Sequence, residues 1–256
     1  MITVSFINIK GGVAKTTSAI AFATLLARKK NKRVLLLDCD KQGDATTALI
    51  DMSEITGLTT ADLLLNKNAD VHDAIIKTQF GIDLVPADFN LVEANLKLLF
   101  ETTSSREFRF KNHLANISEE YDYCIIDCPP DINISITNAL VASDYVLIPV
   151  SPDKNGFDGL NRVFTSVNEA RESNPNLKIA GCFLTRTKRD TALFEGTDEL
   201  LSKFGVYAMK TNIRNSVKVG ESSFTVPLVI SAPRSTAAKD YTKLLEEFLE
   251  RIKDNA

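Results

Sequence analysis

The chain alternates short, almost continuously apolar segments with longer segments in which apolar residues recur at helical spacing. The apolar segments are rich in Val, Ile and Leu, which is typical of strands buried on both faces of a parallel sheet. They lie at residues 2–9, 33–38, 82–87, 121–127, 144–150 and 179–185. The segments between them predict helices at 15–30, 90–100, 106–119, 156–172 and 191–204. This alternation predicts an α/β fold with a doubly wound, mostly parallel sheet flanked by helices.

A last amphipathic helix is predicted at about 236–253. Its polar face mixes Glu246, Glu247 and Glu250 with lysine and arginine, whereas a helix that lies on an anionic membrane usually has a basic polar face. We therefore expect this helix to pack onto the sheet rather than onto a membrane. No linker rich in Pro, Gly or Ser and no repeat divides the chain, so a single domain over residues 1–256 is predicted.

Composition and charge exclude few classes of protein. The chain has 256 residues, of which 44% are hydrophobic, and a formal net charge of −3, so any nucleic-acid-binding surface must be local. No apolar run is long enough to span a membrane, and the first residues lack the features of a signal peptide. The four cysteines are scattered through apolar segments, and we expect them to be reduced and buried in a cytoplasmic protein: Cys39, Cys124, Cys128 and Cys182.

The strongest chemical signal is the sequence N-I-K-G-G-V-A-K-T-T-S at residues 8–18. It follows a predicted strand and opens a predicted helix, a geometry that points backbone N–H groups and the positive end of the helix at a bound phosphate. Lys15 can reach the terminal phosphates, and the hydroxyl of Thr16 is placed to ligate Mg²⁺. The predicted nucleotide-binding residues are Lys10, Gly11, Gly12, Val13, Ala14, Lys15, Thr16 and Thr17.

Acidic residues follow two of the predicted strands. Asp38 ends the predicted strand at 33–38 and Asp40 follows two residues later, and Asp127 ends the strand at 121–127. In open α/β sheets, ligands bind at the carboxyl ends of the strands, where carboxylates can hold Mg²⁺ and orient water for phosphoryl transfer. We therefore predict that these three residues belong to the same site as the phosphate-binding loop.

Residues 10–17 resemble the deviant Walker A motif of the ParA/MinD ATPase superfamily, K-G-G-x-x-K-T-[ST], at every fixed position. The resemblance implies ATP and Mg²⁺ as cofactors and a homodimer with ATP sandwiched between its subunits. It implies that Lys10 reaches the phosphates of the partner subunit and is catalytic, together with Lys15 and Asp40. It also implies that Asp40 orients the attacking water, that Asp38 supports the Mg²⁺ shell and that Asp127 holds Mg²⁺ through a water.

Three residues depart from that pattern. Ala14 stands where relatives usually have Gly, which costs nothing at an ordinary helical φ but is unfavourable if φ is positive. In the segment that the superfamily usually writes D-x-D-P-Q-G-N, Lys41 replaces the Pro and Asp44 replaces the Asn.

Residues 206–240 resemble the ParA/Soj partition branch of the superfamily, with Asn212 and Thr225 as departures. Between residues 203 and 239 the chain has six cationic residues against Glu221 alone, a concentration of charge that suits contact with the DNA backbone. The predicted DNA-binding residues are Arg214, Arg234, Lys210 and Lys218. The resemblance implies non-specific DNA binding, a ParB-like centromere-binding partner and association with the nucleoid. Because the Walker A motif begins at residue 10, we expect no helix-turn-helix domain before the ATPase core.

Other functions remain open at this point. One is a MinD-like membrane-cycling ATPase that positions cellular machinery, and another is a nucleotide-gated scaffold without significant turnover. A nitrogenase-type reductase or an ATP-dependent ligase would use the same fold, but the cysteines do not lie in the glycine-rich loops that a cluster-binding reductase requires. The two histidines, His72 and His113, have no neighbouring cluster of metal-binding residues and are expected to be exposed or to pack between helices.

Overall fold

A seven-stranded sheet forms the centre of the computed structural model, which describes residues 1–102, 106–152, 154–187, 205–222 and 226–254. The strands are β1 (Ile2–Phe6), β2 (Val34–Asp38), β3 (Ile76–Lys77), β4 (Asp83–Val85), β5 (Tyr123–Asp127), β6 (Tyr145–Val150) and β7 (Lys178–Leu184). Their order is β3-β4-β2-β5-β1-β6-β7, and every pair is parallel except β3 with β4. The predicted doubly wound, mostly parallel sheet is confirmed.

Helices connect the strands and cover both faces of the sheet. In the described ranges they are α1 (Lys15–Lys30), α2 (Asp44–Thr47), α3 (Thr60–Leu65), α4 (Leu91–Phe100), α5 (Arg109–Asn116), α6 (Ile134–Ala142), α7 (Lys154–Ser173), α8 (Val217–Ser222), α9 (Leu228–Ser231) and α10 (Thr236–Asp254). Two apolar layers result, one on each face of the sheet, and both are built on the continuously buried strands β2 and β5.

The boundaries differ from the predictions where the chain leaves regular structure. Strand β1 ends at Phe6 instead of residue 9, because the following residues turn away from the sheet to form the loop before α1. The helix predicted at 106–119 is a 3₁₀ turn, Arg106–Phe108, followed by α5. Strand β3 is only two residues long and gave no periodic signal, and helix α6 was not predicted. The helix predicted at 191–204 lies outside the described residues.

The C-terminal helix α10 packs against the protein, as expected. The ring centroid of Phe248 lies 5.8 Å from that of Phe22 on α1, and both side chains are fully buried. The hydroxyls of Tyr241 on α10 and Ser18 on α1 are 3.0 Å apart in the interior. None of the described helices is both long and apolar enough to cross a membrane. The last helix therefore supports the helix that begins in the phosphate-binding loop.

The cysteines and histidines have the structural roles expected of them. All four cysteines are free and buried. His113 is buried on α5 with Nε2 2.9 Å from the carbonyl oxygen of Leu63, and burial lowers the pKa of its imidazole. His72 is half exposed between the carboxylates of Asp70 and Glu120, which raise its pKa. None of these side chains belongs to the site described next.

Candidate functional site

Three neighbouring strands end together at one edge of the sheet. In the register of the parallel ladders, Asp127 on β5 is paired with Asp38 on β2 and with Phe6 on β1. The loop that leaves β1 therefore starts beside the two strand-end carboxylates. This register brings the start of the phosphate-binding loop and the acidic strand ends together, and their action as one site stays a prediction.

The loop between β1 and α1 is held by buried hydrogen bonds at both ends. Asn8 donates from Nδ2 to the carbonyl oxygen of Pro149 at 2.8 Å and accepts from the N–H of Lys10 at 2.9 Å. The carbonyl oxygen of Val13 accepts from the Thr185 hydroxyl at 3.1 Å. Gly11 and Gly12 are exposed at the tip, and Gly12 has φ = 72°. The exposed backbone of this tip is therefore supported on a rigid frame.

Ala14 adopts the left-handed conformation, with φ = 67° and ψ = 34°, directly before the first residue of α1. This is the conformation in which a Cβ atom is unfavourable and in which Gly is the usual residue. The Ser18 hydroxyl donates to the carbonyl oxygen of Ala14 at 2.6 Å and so helps to hold it. This backbone conformation explains why relatives usually have Gly at this position. In this chain the Cβ of Ala14 makes the same conformation strained.

The two lysines of the loop are both engaged. Lys15 is buried, and its Nζ donates to the carbonyl oxygen of Lys10 at 3.1 Å. Burial lowers the pKa of Lys15, while the carboxyls of Asp127 and Asp40 act in the opposite direction. Lys10 is partly buried and donates from Nζ to the Ser151 hydroxyl at 3.0 Å. Both ammonium groups are cations next to the phosphate-binding tip.

Asp38 and Asp40 have different surroundings although they are two residues apart. Asp38 is fully buried, and its carboxylate accepts from the N–H of Asp40 at 3.0 Å and from the N–H and hydroxyl of Thr46 at 2.9 and 2.8 Å. Burial raises the pKa of Asp38 to about 6. Asp40 lies nearer the surface and is 9% exposed. Asp38 thus anchors the loop that carries Asp40, and its support of a Mg²⁺ shell stays a prediction.

The carboxylate of Asp127 is buried without a hydrogen-bond partner. Its side chain is fully buried, and neither oxygen accepts a hydrogen bond in the part of the chain that the structure describes. Burial raises the pKa of Asp127 well above its ordinary value, and the neighbouring Asp38 carboxyl adds to this. The Thr16 hydroxyl and the Lys15 ammonium act in the opposite direction, although neither is in hydrogen-bonding geometry with the carboxylate. A buried, unpartnered carboxylate at a ligand-binding edge fits a cation that arrives with the ligand.

The donors present fit a Mg²⁺ ion that is held mostly by nucleotide oxygens. Among the described residues, no group of three or more His, Cys, Asp or Glu side chains is arranged to hold a metal by itself. Mg²⁺ commonly binds through one or two protein oxygens, waters and substrate phosphates. Thr16 and Asp127 are the residues predicted to supply such oxygens, and this role stays a prediction.

A cavity of about 600 Å³ that the sequence analysis did not anticipate adjoins the phosphate-binding loop. It is lined by the start of α1, the residues after β7, the segment before α8, and one residue each of α8 and α10. The lining residues are Ala14, Thr17, Thr185, Arg186, Ile213, Arg214, Asn215, Ser216, Val219 and Tyr241. Arg186 has φ = 57°, and its Nη1 lies 3.8 Å from where a Cβ would stand at Gly12. Arg186 was not among the predicted site residues. Its positive φ depends on tertiary context, which no pattern in the sequence reveals.

The predicted DNA-binding residues differ in their surroundings. Lys210, Lys218 and Arg234 are exposed. Arg214 is only 27% exposed at its side chain and forms a bidentate ion pair with Asp240, Nε to Oδ2 at 2.8 Å and Nη2 to Oδ1 at 2.6 Å. Asp240 follows directly after the cationic segment in the sequence, so counting charge over that segment left out the carboxylate that neutralises Arg214.

A parallel sheet with a phosphate-binding loop between its first strand and first helix, and with an acidic strand end beside the loop, defines an ATPase of the P-loop class. A family model described as an AAA domain matches residues 1–179. The chain is 36% identical to the sporulation initiation inhibitor protein Soj of Bacillus subtilis, with 95% of this chain and 96% of that protein covered. The chain belongs to the ParA/Soj family of chromosome-partitioning ATPases.

Solved structures agree with this assignment. A plasmid partition protein from Borrelia burgdorferi bound to AMPPNP is 28% identical, with a TM-score of 0.80 and 98% of both chains covered. Cobyrinic acid a,c-diamide synthase from Mycobacterium smegmatis with bound ADP and magnesium is 25% identical, with a TM-score of 0.86 and with 100% of this chain and 97% of that chain covered. The fold is therefore shared with proteins of different functions, and the higher sequence identity is to the partition family.

The strained loop residue gives the first prediction. Replacing Ala14 by Gly should raise the free energy of unfolding by about 0.5–1 kcal/mol, because Gly has no Cβ to oppose the positive φ. The matched control is Ala27→Gly in α1, which should lower the free energy of unfolding by about 1 kcal/mol because that residue is helical. Urea denaturation measures both, and equal signs for the two variants would contradict the assigned strain.

The unpartnered carboxylate gives the second prediction. Asp127→Asn should stabilise the ligand-free protein at pH 7 by about 1–3 kcal/mol, because burial opposes ionisation of the wild-type carboxyl and Asn has no ionisable group. Since burial raises the pKa of Asp127, the free energy of unfolding of the wild type falls as pH rises from about 4, where the carboxyl begins to ionise in the unfolded state. The gain should therefore shrink at pH 4.

Urea denaturation at pH 4 and 7, with and without Mg²⁺ and ATP, measures these effects. Mg²⁺ with ATP should stabilise the wild type more than the Asp127→Asn variant. Asp73→Asn, a substitution at an exposed carboxylate, serves as the control and should change stability little under every condition. A loss of stability in ligand-free Asp127→Asn at pH 7 would show that the carboxylate has a partner after all.

Proposed function

We propose that this chain is a Mg²⁺-dependent partition ATPase that dimerises with ATP between its subunits, binds DNA non-specifically as that dimer and releases DNA after hydrolysis. The observation that carries the proposal is the unpartnered Asp127 carboxylate beside the phosphate-binding loop, in a chain that resembles partition proteins over its whole length. A ParB-like centromere-binding protein would stimulate hydrolysis, and the cycle would take place on the nucleoid in the cytoplasm.

Hydrolysis in this site requires a water in line with the γ-phosphate. The water oxygen bonds to the γ-phosphorus as the bond from that phosphorus to the β–γ bridging oxygen breaks, which gives ADP and inorganic phosphate. Asp40 is proposed to orient the water, whose proton passes to a phosphate oxygen or to the carboxylate. The ammonium of Lys15 stabilises charge on the phosphates, and bound Mg²⁺ would neutralise the β- and γ-oxygens.

Lys10 is the proposed catalytic cation in trans. Its ammonium contacts the Ser151 hydroxyl after β6, at the same edge of the sheet as the loop tip. To act in trans, this ammonium would exchange the buried Ser151 hydroxyl for a phosphate oxygen of the facing subunit. The cost of breaking a hydrogen bond between an ammonium and a neutral hydroxyl is small compared with contact to a phosphate. Hydrolysis should accordingly be slow without a dimer.

The base and ribose are proposed to occupy the cavity beside Thr17, with the Arg186 guanidinium directed to the phosphates. In the part of the chain that the structure describes, Arg186 makes no ion pair, although it lies next to an anion-binding loop. A strained backbone next to a ligand site commonly has a functional reason. This residue extends the nucleotide site beyond the motif.

The DNA-binding surface is proposed to involve Lys210, Lys218, Arg214 and Arg234. Exposed cations such as Lys210, Lys218 and Arg234 suit sequence-independent contact with phosphates. Arg214 differs from the other three because Asp240 already neutralises it, so we expect its substitution to disturb the fold near α10 as well as DNA binding. Lys218 and Arg234 are therefore the better test residues.

The main prediction concerns nucleotide-gated DNA binding. The wild type should bind DNA with ATP or a slowly hydrolysed analogue and not with ADP, and the affinity should fall steeply between 50 and 200 mM salt, by about a factor of ten or more. Asp40→Ala should keep ATP bound and stay on DNA, whereas Lys15→Ala should bind neither. Fluorescence anisotropy with duplex DNA at two salt concentrations measures this, with ATP turnover followed in parallel.

Two outcomes would refute parts of the proposal. DNA affinity that is the same with ADP and ATP would refute nucleotide gating. ATP turnover by Asp40→Ala at the wild-type rate would refute the role of Asp40 but not the role of the phosphate-binding loop. Lys67→Glu, a charge reversal at an exposed residue far along the chain from the proposed surface, should leave DNA affinity unchanged, in contrast to Lys218→Glu and Arg234→Glu.

A further prediction tests the proposal that the Arg186 guanidinium is directed to the phosphates of ATP. Arg186→Gln should weaken ATP binding by about tenfold, the value of one hydrogen bond to a charged group. It should weaken adenosine binding little, because the guanidinium is directed to the phosphates. Arg28→Gln, at an exposed cation on α1, is the control. Isothermal titration with ATP and adenosine would contradict the assignment if Arg186→Gln weakened both equally or neither.

A further inference from the structure

An ion pair joins the two loops that carry the acidic residues of the site. We define the first acidic loop as residues 39–43, which contains Asp40, and the second acidic loop as residues 128–133, which follows Asp127. Lys41 Nζ lies 2.8 Å from Asp131 Oδ2, so this contact bridges the two loops over a separation of 90 residues. Within the first acidic loop, Lys41 is the residue that departs from the superfamily pattern. The same residue forms the ion pair with the second acidic loop.

The backbone around Lys41 forms a tight turn that would accept the usual Pro. The N–H of Gly43 donates to the carbonyl oxygen of Asp40 at 2.9 Å, which places Lys41 at the second position of a β-turn. Pro is favoured there because its ring fixes φ. Among the described residues, the N–H of Lys41 donates no hydrogen bond, so nothing in the backbone requires a residue other than Pro. What Lys41 adds over Pro is its side chain.

That side chain is well placed to act on the loop that presents Asp40. Among the described residues, the hydrogen bond that the Asp40 carboxylate accepts is local and comes from the N–H of Gln42 at 3.0 Å. Without the fixed φ of Pro, the turn would have more conformational freedom. The ion pair restrains it from outside, and it also limits the distance between the loop of Asp40 and the loop after Asp127.

We propose that Lys41 is a positioning residue for ATP hydrolysis, whose ion pair with Asp131 holds the first acidic loop against the second and replaces the backbone stiffness of Pro. The inference rests on the proposed role of Asp40. The restraint differs from a Pro in one physical respect: it depends on charge, so it weakens with salt and can be released without a change of backbone conformation.

The size of the effect follows from the exposure of the pair. The side chains of Lys41 and Asp131 are 38% and 55% exposed, and exposed ion pairs contribute little to folding. A coupling of the usual size for such pairs corresponds to about a two- to fivefold change in a rate or equilibrium. Loss of the pair should therefore lower kcat by about two- to fivefold and leave folding and the KM for ATP nearly unchanged.

The matched control is a second exposed ion pair that does not join the two loops. Lys97 Nζ lies 2.6 Å from Glu93 Oε1 within α4, with side chains that are 59% and 65% exposed. If any loss of a surface ion pair lowered turnover, Lys97→Ala would do so as well. A positioning role predicts an effect at Lys41 only.

The experiment measures kcat and KM for ATP in the full-length chain, from low salt to 1 M salt. Lys41→Ala and Asp131→Asn should each lower kcat by about two- to fivefold, and the double variant should be no slower than either. Lys41→Arg, which keeps the cation, should retain most of the activity. Wild-type kcat should fall towards that of Lys41→Ala as salt rises, while kcat of Lys41→Ala changes less.

The proposal is overturned if Lys41→Ala matches the wild type, if Lys97→Ala loses as much, or if the two losses in the double variant multiply. The turnover rate of Asp40→Ala distinguishes failure of the positioning role from failure of the proposed function. Slow Asp40→Ala with normal Lys41→Ala refutes only the positioning role. Asp40→Ala at the wild-type rate refutes the role of Asp40, on which both depend. Thermal unfolding of each variant shows whether a loss of kcat arises from loss of fold.

Discussion

The buried carboxylate of Asp127 is the constraint around which the rest of the site is arranged. An ionised carboxylate without a hydrogen-bond partner costs several kcal/mol in a protein interior. The protein keeps it at the end of a central strand, with Lys15 and Thr16 close by and with Asp38 adding to the unfavourable potential. The edge of the sheet where ligands bind therefore carries a buried carboxyl without a hydrogen-bond partner among the described residues, and a cation at this point would stabilise its ionised form.

The phosphate-binding loop can keep an open, strained backbone because distant parts of the chain hold it. Asn8, Val13 and Ser18 are fixed by Pro149, Thr185 and Tyr241, which come from β6, from the residue after β7 and from α10. The last helix thus contributes to the geometry of a motif more than two hundred residues earlier. The same support explains how Ala14 remains in a left-handed conformation that an isolated peptide would avoid.

Charge in the sequence and charge in space differ at two positions that matter for function. Arg214 was predicted as a DNA contact from a segment that ends one residue before Asp240, its ion-pair partner. Lys41 replaces a Pro, and its significance depends on Asp131, which is remote in sequence and close in space. Local charge counts identify where cations are frequent, but pairing decides which of them are available to a ligand.

The sequence by itself determined the sheet, the phosphate-binding loop and the acidic strand ends, because buried strands, a glycine-rich turn and strand-end carboxylates all have local signatures. It did not determine where β1 ends, the short strand β3, the φ of Ala14 or the position of Arg186. Those features result from contacts between segments far apart in the chain, and no local pattern encodes them. The sequence therefore specified which chemical groups this protein brings to its site. Only tertiary packing decided which of them are buried, strained or already paired.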